Sequence, residues 1–148
     1  VEVMAKAAPG HYFVFQREAM STISDAINLA QHIVDAGMRC GVSLNPSTPI
    51  EAILPLLETG LVSMVDVLAV EAGFGGQKLQ PSTLTKASFL RRWIDERDLP
   101  ILIMVDGGVN DKTAADVIKS GADILVSGSF LFRQNLVDGM KSLLSKQR

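Results

Sequence analysis

VLAVEAGFGGQK, residues 67–78, is the stretch of sequence that decides the fold. Four apolar residues lead into Glu71, and the loop that follows has three glycines in four positions. Two later apolar runs, residues 101–108 and 124–129, also end in small residues. Backbone N–H groups can approach an anion closely where side chains are absent. The three runs therefore predict strands that bring glycine-rich turns to one end of a sheet, where they would bind a phosphate group.

The composition limits the class of protein. The chain has 148 residues, 47% of them hydrophobic, so we expect one domain over residues 1–148 with a well-filled core. A net charge of −2 without a basic stripe argues against a nucleic-acid partner. The single Cys40 excludes an internal disulfide, and its apolar strand predicts an inert core residue. We find no signal peptide or membrane-length apolar run, and expect a cytoplasmic protein without a membrane partner.

Strand and helix patterns alternate along the whole chain. Apolar runs predict strands at residues 12–15, 40–44, 64–70, 101–105 and 123–126. Helical spacing of apolar residues predicts helices at 22–36, 81–96, 111–119 and 134–146, and one more that begins at Thr48 and ends at Gly60. Thr48 and Glu51 match a capping box, and Asn110 is a suitable cap for the fourth helix. The inward face of the last helix is predicted to be Leu136, Met140, Leu143 and Leu144.

These five strand–helix units predict an α/β fold. Continuous apolar strands are typical of parallel strands covered on both faces, and such units form right-handed crossovers. An open doubly wound sheet and a (β/α) barrel both satisfy this pattern. Functional turns follow several successive strands, and the last two strands carry small-residue turns, which favours a TIM (β/α)₈-barrel type with about five units in this chain.

Asp106 is the sharpest catalytic candidate. It stands at the end of a strand and is followed by Gly107 and Gly108. A carboxylate at that place can act as a proton base, as a metal ligand or as both. Alternatively, it hydrogen-bonds its own turn.

The glycine cradle is the predicted substrate- and phosphate-binding set. Its members lie in the three strand-end turns, and Ser129 can donate its hydroxyl as well as its N–H. Taken singly, each glycine is also explained as an ordinary turn residue with positive φ. The set consists of Gly73, Phe74, Gly75, Gly76, Gly107, Gly108, Gly128 and Ser129.

Other polar residues are weaker candidates. Glu71 is either a second acid or a buried acceptor for loop amides, and Lys78 is either an anion ligand or a solvated lysine. His11 and His32 have no partners at metal-ligand spacing, so we treat both as ordinary residues. Trp93 fits a helix packed on the sheet.

These motifs resemble the ribulose-phosphate 3-epimerase family. Residues 70–78 resemble the family signature VEPGFGGQK, and residues 105–109 match its VDGGV. Gly128 and Ser129 match a terminal G-S after the last barrel strand. Residues 14–19 resemble its FHxEA strand end, and residues 45–48 its KPGT. The resemblance runs in order over essentially the whole chain.

The resemblance implies a barrel that interconverts D-ribulose 5-phosphate and D-xylulose 5-phosphate. Two aspartates transfer the C3 proton, and a divalent metal such as zinc, iron or manganese stabilises the enediolate. Asp106 matches one of those aspartates, which is also a metal ligand. The glycine cradle matches the substrate and phosphate contacts, so the implied partner is a phosphorylated pentulose.

The departures from the family pattern are specific. The chain resembles only the last five of eight units, and no residues match the other aspartate or the metal-binding histidines. Gln16 stands in place of a histidine, Ala72 in place of a proline and Leu68 where a methionine is frequent. Five strands do not close such a barrel, so we expect a homo-oligomer and little turnover by this chain alone. The alternatives are a non-catalytic phosphosugar-binding or interaction protein, and another phosphate-binding barrel enzyme.

Overall fold

The computed structural model describes residues 1–146 and contains one sheet of five parallel strands. The strands lie side by side in chain order. Each strand is one of the predicted apolar runs, with ends shifted by up to two residues. The strands are β1 (Tyr12–Gln16), β2 (Arg39–Leu44), β3 (Val62–Leu68), β4 (Leu102–Asp106) and β5 (Ile124–Val126).

Seven α-helices accompany the sheet within these residues. Two of them start at side-chain caps: Thr22 and Asp25 complete a capping box at the start of the second helix, and Asn135 caps the last. A short helix before β1 was not predicted. The helices are α1 (Glu2–Ala7), α2 (Ile23–Asp35), α3 (Leu54–Leu57), α4 (Pro81–Asp95), α5 (Ala114–Lys119), α6 (Ser129–Phe132) and α7 (Leu136–Leu144).

The core lies between the helices and one face of the sheet. On that face Val65, Val67, Ile103 and Val105 are at most 1% exposed. Cys40 is fully buried there, and burial raises the pKa of its thiol to about 12, so the prediction of an inert core cysteine is confirmed. Trp93 is 7% exposed, as predicted for a helix packed on the sheet.

The helix predicted to begin at Thr48 is wrong. A 3-10 turn, Ile50–Ala52, and the four-residue α3 replace it, and neither has a side-chain cap. The Thr48 hydroxyl donates to Glu18 instead of capping the helix. Pro55 lies in the first turn of α3, where the N–H group it lacks would be unpaired anyway. The helix predicted at 111–119, which is α5, also begins later than predicted. The Asn110 side chain accepts from the N–H groups of Lys112 and Thr113 in the preceding turn and does not cap α5 itself.

The predicted inward face of the last helix is also wrong in part. Leu136, Met140 and Leu144 are 48–55% exposed, and only Leu143 packs against the core. The helix lies beyond β5, the last strand on that side of the sheet, and among residues 1–146 it packs mainly against the short α6. Its apolar side therefore stays open.

Candidate functional site

The glycine-rich turns meet at the carboxyl ends of β3, β4 and β5. They enclose a cavity of about 350 Å³. Parallel strands place these ends at one edge, which is where barrels and open α/β sheets bind ligands. All eight residues of the predicted glycine cradle line this cavity together with Asp106 and Glu71. The structure thus brings the predicted site residues into one place.

Asp106 is the last residue of β4 and lines the cavity. It pairs in register with Leu68 on β3 and Val126 on β5, so all three lie on the face away from the helices. Burial raises the pKa of the Asp106 carboxyl above its ordinary value. A carboxyl with a higher proton affinity is a better base near neutral pH than a fully solvated one.

The structure adds Asp66, an acid that the sequence reasoning missed. It lies in β3 between Ser43 on β2 and Met104 on β4 and is only 6% exposed. Its Oδ1 has no hydrogen-bond partner within residues 1–146. Burial first, and the charge of Asp106 second, raise the pKa of Asp66 to about 7. The signal was a lone carboxylate within an apolar run, on the same strand face as Leu68.

Two kinds of glycine form the cradle. Gly107 and Gly108 have φ values of 115° and 67°, and a Cβ on Gly107 would lie 2.6 Å from Val70, while one on Gly108 would collide with Leu79. Packing and backbone conformation therefore require glycine at these two positions. Gly75 and Gly128 differ, because neither has a positive φ and a Cβ there would meet nothing within 4 Å. Neither packing nor a positive φ therefore requires glycine at these two positions.

The loop after β3 is held by its own side chains. Gln77 Nε2 donates to the carbonyls of Glu71 and Phe74 at 2.7 and 2.9 Å. The Glu71 carboxylate is exposed and accepts from Gln80 Nε2 at 3.3 Å, so the alternative of a buried acceptor is wrong. Phe74 is 75% exposed at the tip of the loop.

A polar network organises the neighbouring loop after β2. Lys86 Nζ donates to the carbonyls of Asn45 and Pro46 at 2.9 and 2.6 Å. Glu18 accepts from the Asn45 N–H at 2.9 Å, and Gln16 Nε2 donates to the Asn45 side chain at 3.0 Å. Burial lowers the pKa of Lys86, and the charge of Glu18 opposes that shift. The network fixes this loop beside the site, and sequence reasoning did not find Lys86.

The candidate metal ligands do not form a centre. Within residues 1–146, no three His, Cys, Asp or Glu side chains are grouped so that they could hold a metal ion. His11 bonds Pro9, and His32 lies 3.9 Å from Glu2, both outside the cavity. No helix in the described part of the chain is long and apolar enough to cross a membrane.

The fold has a counterpart among solved structures. The crystal structure of 3-hexulose-6-phosphate synthase from Salmonella typhimurium, a TIM-barrel-type protein, superposes with a TM-score of 0.65 at 16% sequence identity. The match covers 98% of this chain and 64% of that one. The prediction of a partial barrel of five parallel strand–helix units is confirmed by the sheet and by this likeness.

Sequence comparisons show the family. A ribulose-phosphate 3-epimerase from Bacillus subtilis is 42% identical over 106 residues, which cover 71% of this chain and 48% of that protein. The epimerase of Mycobacterium tuberculosis (strain H37Rv) is 38% identical over 130 residues, 85% of this chain and 53% of its own length. The chain thus spans about half the length of these relatives. The model of the ribulose-phosphate 3 epimerase family matches residues 1–132, and the chain belongs to that family.

Proposed function

We propose that the cavity binds a phosphorylated pentulose and belongs to a ribulose-phosphate 3-epimerase site. Gly75 and Gly128 carry this proposal. Their side chains are absent although the fold leaves room for them, which is expected where a ligand must approach the backbone. Membership of the ribulose-phosphate 3 epimerase family supports this proposal, and we take D-ribulose 5-phosphate and D-xylulose 5-phosphate as the substrate pair.

Asp106 is the proposed proton-transfer group. Its carboxylate lines the same cavity as the glycine cradle, so a phosphate held there would place the sugar carbons beside it. In the proposal, Asp106 serves one face of the sugar: it removes the C3 proton as a base in one direction of the reaction and donates it as an acid in the other. Inversion at C3 also needs a second acid on the opposite face, and no residue of this chain matches it. Burial favours this role because it keeps the carboxyl pKa above that of a solvated aspartate.

The residues of this chain do not fit a complete divalent-metal site. Asp106 is the one cavity carboxylate to which the family resemblance gives a metal-ligand role, and no cluster of three ligands exists within residues 1–146. Zinc takes four ligands in structural sites and three protein ligands in catalytic ones. We therefore assign Asp106 at most one metal contact and derive no step through a metal.

The incomplete ligand set favours a second candidate function. A chain that binds phosphosugar without epimerising it needs the cradle but neither a second proton-transfer acid nor the metal. For the isolated chain we expect turnover below about a tenth of typical enzyme rates. Conversion of D-ribulose 5-phosphate to D-xylulose 5-phosphate by the isolated chain at a normal enzymatic rate would contradict that expectation.

We include assembly and location in the proposal. An open sheet with unpaired edge strands tends to associate, so we expect a homo-oligomer. A rice relative, 40% identical over 133 residues, is a cytoplasmic isoform by name, and we extend that location to this chain.

Binding of D-ribulose 5-phosphate to a Gly128→Ala variant tests the site. The new methyl group meets no protein atom, so the variant should fold as the unsubstituted chain does. It would obstruct the ligand, and calorimetry should show about tenfold weaker binding, ~1.4 kcal/mol. The matched control is Gly37→Ala, distant from the cavity and at φ 78°. It should cost about 1 kcal/mol of stability and leave the affinity unchanged. Full affinity in Gly128→Ala would contradict the proposal.

A further inference from the structure

Three cationic side chains stand on the outer side of the glycine cradle. Lys78, Lys112 and Arg133 line a second cavity of about 470 Å³, and we call them the basic rim. This cavity shares five lining residues with the cradle cavity, so the two adjoin: Gly76, Gln77, Gly108, Val109 and Ser129. The basic rim therefore lies directly beside the proposed phosphate site.

Arg133 is the rim residue that reaches the cradle itself. It follows α6, which comes directly after the β5 turn, whereas Gly76 belongs to the loop after β3. A Cβ built on Gly76 would lie 3.2 Å from Arg133 Nη2. The guanidinium thus lies against the bare backbone of Gly76 and spans from one cradle turn to another.

The charges of the rim are free within the described residues. Among residues 1–146, none of the three side chains forms a hydrogen bond or an ion pair. Arg91 is a contrast, because it bonds Asp95 at 2.7 Å and Asp123 at 3.3 Å. Asp111 is the one carboxylate in the lining of the second cavity. Positive charge therefore predominates in the lining of the second cavity.

We propose that the basic rim is a second anion-binding element, which attracts the phosphate monoester of an incoming ligand and holds it through Arg133. The inference rests on the proposed phosphosugar function of the cradle. Neutral N–H groups position an anion but attract it weakly from a distance, whereas cations beside a cavity raise its local concentration. A guanidinium also binds two phosphate oxygens at once. The rim would select phosphorylated over neutral sugars.

Calorimetry and ¹⁵N spectra of the full chain test the rim, with inorganic phosphate and D-ribulose 5-phosphate as probes. Arg133→Gln should weaken binding of both probes about tenfold. Lys78→Gln combined with Lys112→Gln should weaken it about threefold and flatten its salt dependence. The matched control is Lys6→Gln, which removes one charge beside Ala36 at the opposite end of the sheet and should change nothing. Arg133→Lys should recover part of the loss.

The outcomes separate the rim from the cradle. If the Arg133→Gln variant bound both probes as tightly as the unsubstituted chain, and the cradle resonances still shifted, the proposal for the rim would be wrong. The proposal for the cradle would remain supported. Shifts at Lys78, Lys112 and Arg133 without shifts at Gly75 or Gly128 would mean that the rim binds anions by itself, and would contradict both the cradle and the role of the rim beside it. If neither probe bound the unsubstituted chain, both proposals would fail.

Discussion

The two faces of the sheet differ in how completely they are covered. On the helix side, Val65, Val67, Ile103 and Val105 are at most 1% exposed. On the other side, Val14 and Leu102 are 37% and 38% exposed, while Asp66 is buried without a partner for Oδ1 in the described chain. The first face is a finished core, and the second is the interior of an unclosed barrel. Stability therefore resides on the helix side, and the site and its acids lie on the open side.

The strongest test of this contrast compares the losses of stability caused by Ile103→Ala and by Leu102→Ala. The two residues are neighbours in β4 and face opposite ways. Ile103→Ala leaves a cavity in a close-packed core and should lower the free energy of unfolding by about 2–5 kcal/mol. Leu102→Ala should cost less than about 1 kcal/mol, since its side chain already contacts solvent. Urea unfolding measures both, and equal losses would remove the contrast.

The pH dependence of stability tests the burial of Asp66 on the open face. Its folded pKa of about 7 lies above the ordinary 3.8, so the folded state binds this proton more tightly than the unfolded state does. The associated stability is fully present below pH 4 and is lost as pH rises through 7, by about 2–4 kcal/mol. Asp66→Asn should remove that slope and be the more stable chain at pH 8. Urea midpoints at pH 5 and pH 8 measure it, and an unchanged slope in the variant would contradict the assignment.

Local patterns predicted the fold because apolar runs and helix spacing act over a few residues. They placed all five strands, and the glycine turns with Asp106 came together in one cavity as predicted. Contacts from distant segments account for the rest. Thr48 bonds Glu18, thirty residues earlier, and its cap was lost. The sequence signal for Asp66 was a lone carboxylate within an apolar run. Its position between Ser43 and Met104, and the effect of the Asp106 charge on its pKa, follow from the strand register.

Leu102→Lys gives the smallest expected change in stability and the sharpest test of what the open face does. A lysine on a half-exposed side chain position can extend into solvent, so the free energy of unfolding should change by less than about 1 kcal/mol. If the open face drives association, a charge on that face should shift sedimentation toward smaller species. Asn28→Lys adds the same charge on the exposed side of α2 and should leave the distribution unchanged. If both variants sediment like the unsubstituted chain, association does not use this face. A single monomeric species in the unsubstituted chain would rule out the homo-oligomer. The test thus asks whether the uncovered face contacts a second copy.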